Sequence, residues 1–337
     1  MISMKSDGTG SPVLMYRDWK VPLPADVRVE YDVPASRLTT IGAGGRVAAV
    51  VSVESAALAE QVCSTLLQEG ISLVVVGRGS NLLIADSGYD GVMVRFLASE
   101  PDIIHEGEVL DVSAGSRTDD VARCAVELGL AGLEFAAGLP GSVGGAVWGN
   151  AGGFGSDMSK VTESARILEP DGRVSWWEAA ALGFGYRESA LQHKPGILLR
   201  VRLRLPAGDR GQIRRRREAI LEDRRNRFPD WRRHANAGCF FRNPPGLHAA
   251  VLIERAGART RSKGGARVWE RHVGFIVRER PGCTAADILS LGLQIAEDVR
   301  RHFGVDLLPE VRFLGDFGDL LPPRWRAWNS VKIIEPV

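Results

Sequence analysis

Gly132-Leu133-Glu134-Phe135-Ala136-Ala137-Gly138-Leu139-Pro140-Gly141-Ser142-Val143-Gly144-Gly145-Ala146-Val147-Trp148-Gly149-Asn150-Ala151-Gly152-Gly153-Phe154-Gly155 is the stretch on which the fold turns. Every glycine loses more backbone freedom on folding than any other residue, so a packed domain concentrates them only where main chain must come close to something else. A solvated linker is excluded, because Leu133, Phe135, Val143, Val147 and Trp148 interleave with the glycines. The stretch reads as backbone brought against a bound ligand.

Outward from it, glycines cluster again at 42–45, 77–79 and 264–265, each beside apolar segments. Residues 46–53 read as a strand. Leu58, Val62 and Leu66 recur every four positions and predict a helix over 54–70, and 71–76 reads as a buried strand. The loop Gly77-Arg78-Gly79-Ser80-Asn81-Leu82 follows, and the expected form is a β–α–β unit capped by a hairpin of Leu82–Ile84 with Val92–Leu97. That loop lacks the third glycine of the dinucleotide fingerprint and leads into a strand, so a Rossmann reading fails on context. Its N–H groups, with Ser80 and Asn81, still suit an anion nest, and a purely structural turn is the alternative.

From residue 98 short strands flank one helix, 118–128, with Thr118 as its expected N-cap. Pro206-Ala207-Gly208-Asp209 marks a boundary. Beyond it come an Arg-rich helical segment, 210–227, and strands near 238–242 and 273–277. A helix over 284–303 carries Ile288, Leu291, Ile295, Val299 and Phe303 on one face, with Thr284 placed to cap it and Gly304 to end it. The fold class is α+β.

The 337 residues are 45% hydrophobic and 25% charged with a net charge of +2, which excludes a disordered tail protein and a disulfide-stapled miniprotein. No run of about eighteen apolar residues occurs, so no membrane span is expected, and the mixed N-terminus points to a cytoplasmic protein. Cys63, Cys124, Cys239 and Cys283 are far apart, with no C-x-x-C pair and no histidine at ligand spacing, so free thiols and no metal are expected. The basic run 210–233 is broken by Glu218, Glu222 and Asp223 and has few aromatics, which favours a solvated helix face over a nucleic-acid surface.

Leu38–Gly45, Val76–Leu83, and Gly138–Ala146 with Asn150-Ala151-Gly152 resemble, in order and spacing, the successive signatures of the UDP-N-acetylenolpyruvoylglucosamine reductase family of peptidoglycan precursor synthesis. Gly185-Tyr186-Arg187-Glu188-Ser189, Ala237–Pro244, Leu252–Gly257 and Pro309-Glu310-Val311-Arg312 resemble its later motifs, so the likeness spans about residues 34–315. It implies an FAD-binding PCMH fold of the vanillyl-alcohol-oxidase type, with subdomains 34–97 and 98–207 and a C-terminal α+β substrate domain, 208–316. An N-terminal extension (1–33) and a tail (317–337) flank these. By the same resemblance Gly77, Arg78, Gly79, Ser80, Asn81, Leu82, Gly138, Pro140, Gly141, Ser142, Gly144, Gly145, Asn150 and Gly152 bind FAD.

The reaction so implied reduces an enolpyruvyl ether to a lactyl ether: NADPH reduces the flavin, hydride passes from N5 to the vinyl carbon, and a proton reaches the adjacent carbon. Arg187 matches the arginine that holds the substrate carboxylate as it becomes an enolate, a task suited to a permanent, forked cation. Glu310 matches the glutamate beside the enolate. Cys239 stands where some members have serine and others cysteine as proton donor, and an ordinary thiol is mostly protonated at neutral pH. Tyr186, Arg242, Asn243, Lys263 and Arg312 are the expected ligands of the UDP-sugar. The expected partners are this UDP-sugar enolpyruvyl ether and NADPH, with no nucleic acid or membrane, and the expected state is a monomer.

The third domain departs from the family pattern. Thr39 replaces Asn or His, Arg267 replaces Gln, Trp269 replaces Ser, and Arg278 replaces Asn, while 258–263 is rewritten. Two alternatives follow: a paralogue that reduces a different unsaturated nucleotide-linked acid, or a flavin-binding module without catalysis. The short span between Arg187 and the third domain predicts the compact subtype without a substrate-covering loop.

Overall fold

The computed structural model describes residues 12–329, 331 and 333–336. Residues 1–11, a third of the expected N-terminal extension, lie outside the described residues. The remainder of that segment is part of the fold. Strands β1 (Val13–Tyr16) and β2 (Trp19–Pro22) form a hairpin whose Leu14 and Val21 are buried, and β3 (Arg28–Pro34) pairs antiparallel with β4 (Arg46–Val53).

Helix α1 (Ala56–Gln68), capped by Ser55 on Leu58 N–H at 3.2 Å, buries Ala59, Val62, Cys63 and Leu66 against this sheet. Strand β5 (Leu73–Val76) follows, then β6 (Leu82–Ile84) and β7 (Tyr89–Phe96). The sheet order is β3-β4-β7-β5, with β4, β7 and β5 parallel. The expected β6–β7 hairpin does not form. Leu82, Leu83 and Ile84 are all buried, which a two-sided burial requires, and β6 pairs instead with a strand near residue 312.

The second sheet is antiparallel throughout. It comprises β8 (Ile103–Glu106), β9 (Val109–Ser113), and, past helices α2 (Thr118–Leu128) and α3 (Val143–Trp148) and the short hairpin β10 (Gly152–Gly153) and β11 (Ser156–Asp157), the strands β12 (Thr162–Leu168) and β13 (Val174–Glu178). After α4 (Ala179–Leu182), β14 (Ile197–Arg204) completes the order β13-β12-β14-β9-β8. Thr118 is the first helical residue rather than the cap. Its hydroxyl donates to Gly141 O at 3.1 Å, so it ties α2 to the glycine stretch instead of closing its own helix.

Helix α5 (Arg210–Arg227) matches the Arg-rich run, and it packs on α2: Arg217 pairs with Asp119 at 2.5 Å and Arg214 with Glu127 at 3.0 Å. Strand β15 (Asn236–Cys239), helix α6 (Ala249–Arg255) and strands β16 (Ser262–Lys263), β17 (Ala266–Val268) and β18 (Phe275–Arg278) build a sheet of order β15-β18-β17-β16. Helix α7 (Ala285–Phe303) covers it. Thr284 and Asp287 make a capping box, and Gly304 ends the helix in the left-handed region.

Strand β19 (Arg312–Leu314) runs parallel to β6, and helix α8 (Pro323–Asn329) follows. The expected tail is therefore no appendage. Trp325 is fully buried, and Leu73 and Ile334 exchange backbone hydrogen bonds of 3.0 and 2.8 Å at the edge of the first sheet.

Two departures from the family pattern meet at one turn. Gly42 N–H donates to Thr39 Oγ1 at 3.0 Å while Gly42 O accepts from Arg278 Nη1 at 2.7 Å, so the first subdomain and the third domain are clamped together. Asp86 adds to the clamp by accepting from Ala285 and Ala286 N–H at 2.7 and 2.8 Å, at the positive end of the α7 dipole. Asp86→Ala leaves those donors unpaired and is expected to cost about 1–2 kcal/mol. A lowered urea-unfolding midpoint with an unchanged slope is the measurement that checks it.

Candidate active site

The glycine loop after β5 and the stretch 138–145 meet at the seam between the two subdomains. A Cβ on Gly77 would overlap Ser142 Oγ, one on Gly79 would overlap Leu38 O, and one on Gly141 would crowd Ser80 Oγ at 3.1 Å. Gly79 also has φ +66°, so side chains are excluded there on two grounds. Ser142 caps α3 through Gly145 N–H at 3.3 Å. Loops this close leave backbone amides, rather than side chains, as the lining of the seam.

Arg78 stands at its mouth. Its Nε is buried with no hydrogen-bond partner among the described residues, and burial together with Arg117, Arg232 and Arg95 pulls its pKa down. Cations that repel one another beside a backbone nest fit the diphosphate of a dinucleotide such as FAD.

Arg187 sits in the tight turn closed by Gly185 and Glu188, which exchange hydrogen bonds of 3.0 and 3.2 Å. Its φ is +57°, a conformation costly for a residue with a Cβ. Several contacts hold it there. Asn150 Nδ2 donates to Gly185 O at 2.8 Å, Gln192 Nε2 donates to Arg187 O at 3.1 Å, and the Arg187 guanidinium donates to Gly152 O at 2.8 Å. Arg187 Nε then forms an ion pair with Glu310 Oε1 at 2.9 Å.

Asn150 and Gly152, expected at the cofactor, also hold the arginine turn. Asn150 Oδ1 also accepts from Ser159 N–H at 2.9 Å, so both ends of its side-chain amide are committed.

Glu310 and Cys239 come together because Glu310 N–H donates to Phe240 O at 2.7 Å. Burial pushes the Cys239 thiol up to about 12, with the Glu310 charge adding to the shift and Arg187, Arg224 and Arg227 opposing it. Burial also raises Glu310, against the opposing pull of Arg187 and Arg242. The result is a protonated thiol beside a guanidinium–carboxylate pair.

Of the other expected ligands, Tyr186 is half exposed, its carbonyl accepts from Arg242, and its hydroxyl accepts from Asn243 N–H at 3.3 Å. Arg312 lies over the Trp148 ring at 4.7 Å and donates to Gln192 Oε1 at 2.5 Å. It does not share a strand face with Glu310, because β19 begins only at Arg312. Asn243 Oδ1 accepts from Ala249 N–H at 2.9 Å, at the start of α6. Lys263 is exposed on the edge strand β16, at the opposite side of the sheet from Cys239, and does not join the cluster.

Arg224 is the residue missed from sequence. It stacks between Phe154 and Phe228 at 5.1 and 5.5 Å, donates to Phe135 O at 3.2 Å and is pulled down to about 10 by burial, with the Cys239 charge as its largest opposing influence. A signal existed: Ile213, Arg217, Ile220 and Arg224 recur at helical spacing and mark the inward face of α5.

Two family models match the chain: an FAD binding domain over residues 47–177 and the UDP-N-acetylenolpyruvoylglucosamine reductase C-terminal domain over 230–314. UDP-N-acetylenolpyruvoylglucosamine reductase 1 of Bacillus thuringiensis is 38% identical over 86% of this chain and 95% of its own. The Heliobacterium modesticaldum reductase is 40% identical over 91% of this chain and 90% of its own. The chain belongs to the UDP-N-acetylenolpyruvoylglucosamine reductase family. The crystal structure of the Thermus caldophilus reductase, 31% identical, superposes with a TM-score of 0.73 over 86% of this chain and all of that one. This family member is a flavin oxidoreductase, and the paralogue and non-catalytic readings are not favoured. Its departures from the family pattern fall into internal contacts. Trp269 Nε1 donates to Arg227 O at 3.0 Å, Arg267 pairs with Glu279 at 2.8 Å, and Arg261 with Asp298 at 2.9 Å.

With its thiol held near 12, Cys239 is expected to react with iodoacetamide at pH 8 on the order of a hundredfold more slowly than an ordinary thiol. Timed labelling with peptide mass analysis checks this. Gly79→Ala is expected to lose FAD binding, read as the flavin absorbance retained after gel filtration.

Proposed function

We propose that this chain reduces UDP-N-acetylglucosamine enolpyruvate to UDP-N-acetylmuramate in peptidoglycan precursor synthesis, with Arg187, Cys239 and Glu310 as its catalytic residues. The observation that carries the reading is the Arg187–Glu310 ion pair, 2.9 Å long, next to a thiol that stays protonated. Gly77–Leu82, Gly138, Pro140, Gly141, Ser142, Gly144 and Gly145 would hold FAD, with Arg78 at its diphosphate. Bound FAD supplies the two-electron reducing power, drawn from NADPH, that the vinyl carbon receives.

Reduction at the vinyl carbon leaves negative charge on the neighbouring carbon, shared with the substrate carboxylate. Arg187 holds that carboxylate with fixed positive charge, which is stronger for being partly desolvated and already oriented by Gly152 O and Glu310. Glu310 aims the guanidinium. Cys239 gives its S–H proton to the carbanion carbon, and the resulting thiolate is reprotonated from solvent. A thiol near 12 does not ionise at neutral pH, so the proton is always present, and it is still far more acidic than the product C–H it forms. Arg242 and Arg312, with Tyr186, bound the side from which an anionic nucleotide-sugar would enter.

No helix among the described residues is long and apolar enough to cross a membrane, and the same reading has the enzyme act as a cytoplasmic monomer.

Purified enzyme is expected to be yellow, to bleach with NADPH and to recover its colour on adding the enolpyruvyl nucleotide. Bleaching without recovery would sink the substrate assignment. Cys239→Ala is expected to bleach normally but to recover about 10²–10⁴-fold more slowly, as for loss of a general acid. Because the wild-type thiol is not ionised below about pH 11, turnover should show no loss from Cys239 ionisation between pH 7 and 10.

A further inference from the structure

The segment after residue 314 lies beyond the matched C-terminal domain, yet it reaches the core directly beneath the proton donor. Leu321 and Trp325 are buried in one apolar cluster with Phe240, Phe241, Ile276 and Phe313. The Trp325 ring lies 6.3 Å from Phe240 and 6.0 Å from Phe241, and those two rings are 5.0 Å apart. Phe240 has no slack on its other side, because a Cβ on Gly292 of α7 would overlap its ring. The indole Nε1 is buried without an acceptor among the described residues, so shape, not hydrogen bonding, sets the Trp325 position.

What Phe240 and Phe241 carry is the site itself. Cys239 immediately precedes them. Phe240 N–H donates to Gly274 O at 2.8 Å, Phe240 O accepts from Glu310 N–H at 2.7 Å, and Arg242 N–H donates to Leu308 O at 3.0 Å. The proton donor and the carboxylate that aims Arg187 are therefore held on two short segments, hydrogen-bonded to each other at Phe240 and Glu310, and the side chains of Phe240 and Phe241 that anchor the first of them rest on Trp325. The tail is fastened at its far end too, by Val331 N–H on Phe313 O at 2.9 Å and by the Leu73–Ile334 pairing on the first sheet.

We propose that Trp325 is a positioning residue, which wedges the Phe240–Phe241 pair and so fixes Cys239 against Glu310 and Arg187. The proposal rests on the reductase reading for its kinetic test, and on the packing alone for its chemical one.

Trp325→Ala and Trp325→Phe are compared with wild type in the full-length flavoprotein. In Trp325→Ala, recovery of flavin colour with the enolpyruvyl nucleotide should slow at least tenfold, while bleaching by NADPH and flavin content stay within twofold. The pH at which iodoacetamide labels Cys239 should fall by about one unit as water gains the loosened strand. Trp325→Phe, which keeps a ring on the same neighbours, should restore both. Equal slowing of bleaching and recovery, or an unchanged Cys239 labelling profile, would overturn the proposal, since a merely structural residue gives either. If Trp325→Ala does not fold, Phe240→Leu removes the contact from the opposite side and is judged by the same two criteria. If the wild type itself fails to recover colour with the nucleotide, the reductase reading fails and the labelling profile alone decides the role of Trp325.

Discussion

The parallel pairing of Leu82–Ile84 with Arg312–Leu314 is the contact on which the rest depends. It joins segments some 230 residues apart, and Asn81 seals its end by donating to Glu310 O at 3.1 Å while accepting from Arg312 N–H at 3.0 Å. The glycine loop that faces the cofactor seam and the segment that leads from Glu310 into β19 are thereby tied to one ladder. Without that ladder the third domain would be a neighbour of the flavin subdomain. With it, the two are one body, further clamped at Gly42 and Asp86.

Within that body the electrostatics are arranged by exclusion of water. Arg187, Arg224, Arg242 and Arg312 surround one carboxylate and one thiol, and burial works against the charges of Glu310, Arg224 and Arg312. Burial disfavours ionisation of the thiol and of Glu310, and it weakens the proton affinity of Arg224 and Arg312. Such a site suits anions, because a carboxylate or diphosphate offsets the mutual repulsion of Arg242 and Arg312.

Local features of this fold were legible in the sequence, and distant pairings were not. Helix α7 was legible with its ends, since Thr284 and Gly304 announce themselves within one turn, and α5 starts at the boundary that Pro206–Asp209 marks. The glycine stretches were recognised as close-approach backbone for the same reason. The β6–β19 ladder could not be read from sequence, because three apolar residues beside a turn specify burial but not a partner. Thr118 was misassigned as a cap because its hydroxyl is claimed by Gly141, whose position only the tertiary fold determines. In the site, Arg187, Cys239 and Glu310 were found through motifs. Arg224 was lost among its neighbouring arginines, and motifs could not show that the side chains of Asn150 and Asn243 also hold protein backbone, or that Lys263 stands on an exposed edge strand. The Pro- and Trp-rich tail carried no periodicity to reveal that one of its indoles is wholly enclosed.

Arg187 occupies a backbone conformation that a glycine would adopt freely. A library screened only for thermal resistance would therefore tend to discard the guanidinium, since relaxing the turn raises stability as it removes the charge. Asn150, itself at φ +41°, shares the predicament. On the proposed function, sequence redesign of this fold must keep Arg187 and the Asn150 that braces its turn, or it trades the guanidinium for a sturdier flavoprotein.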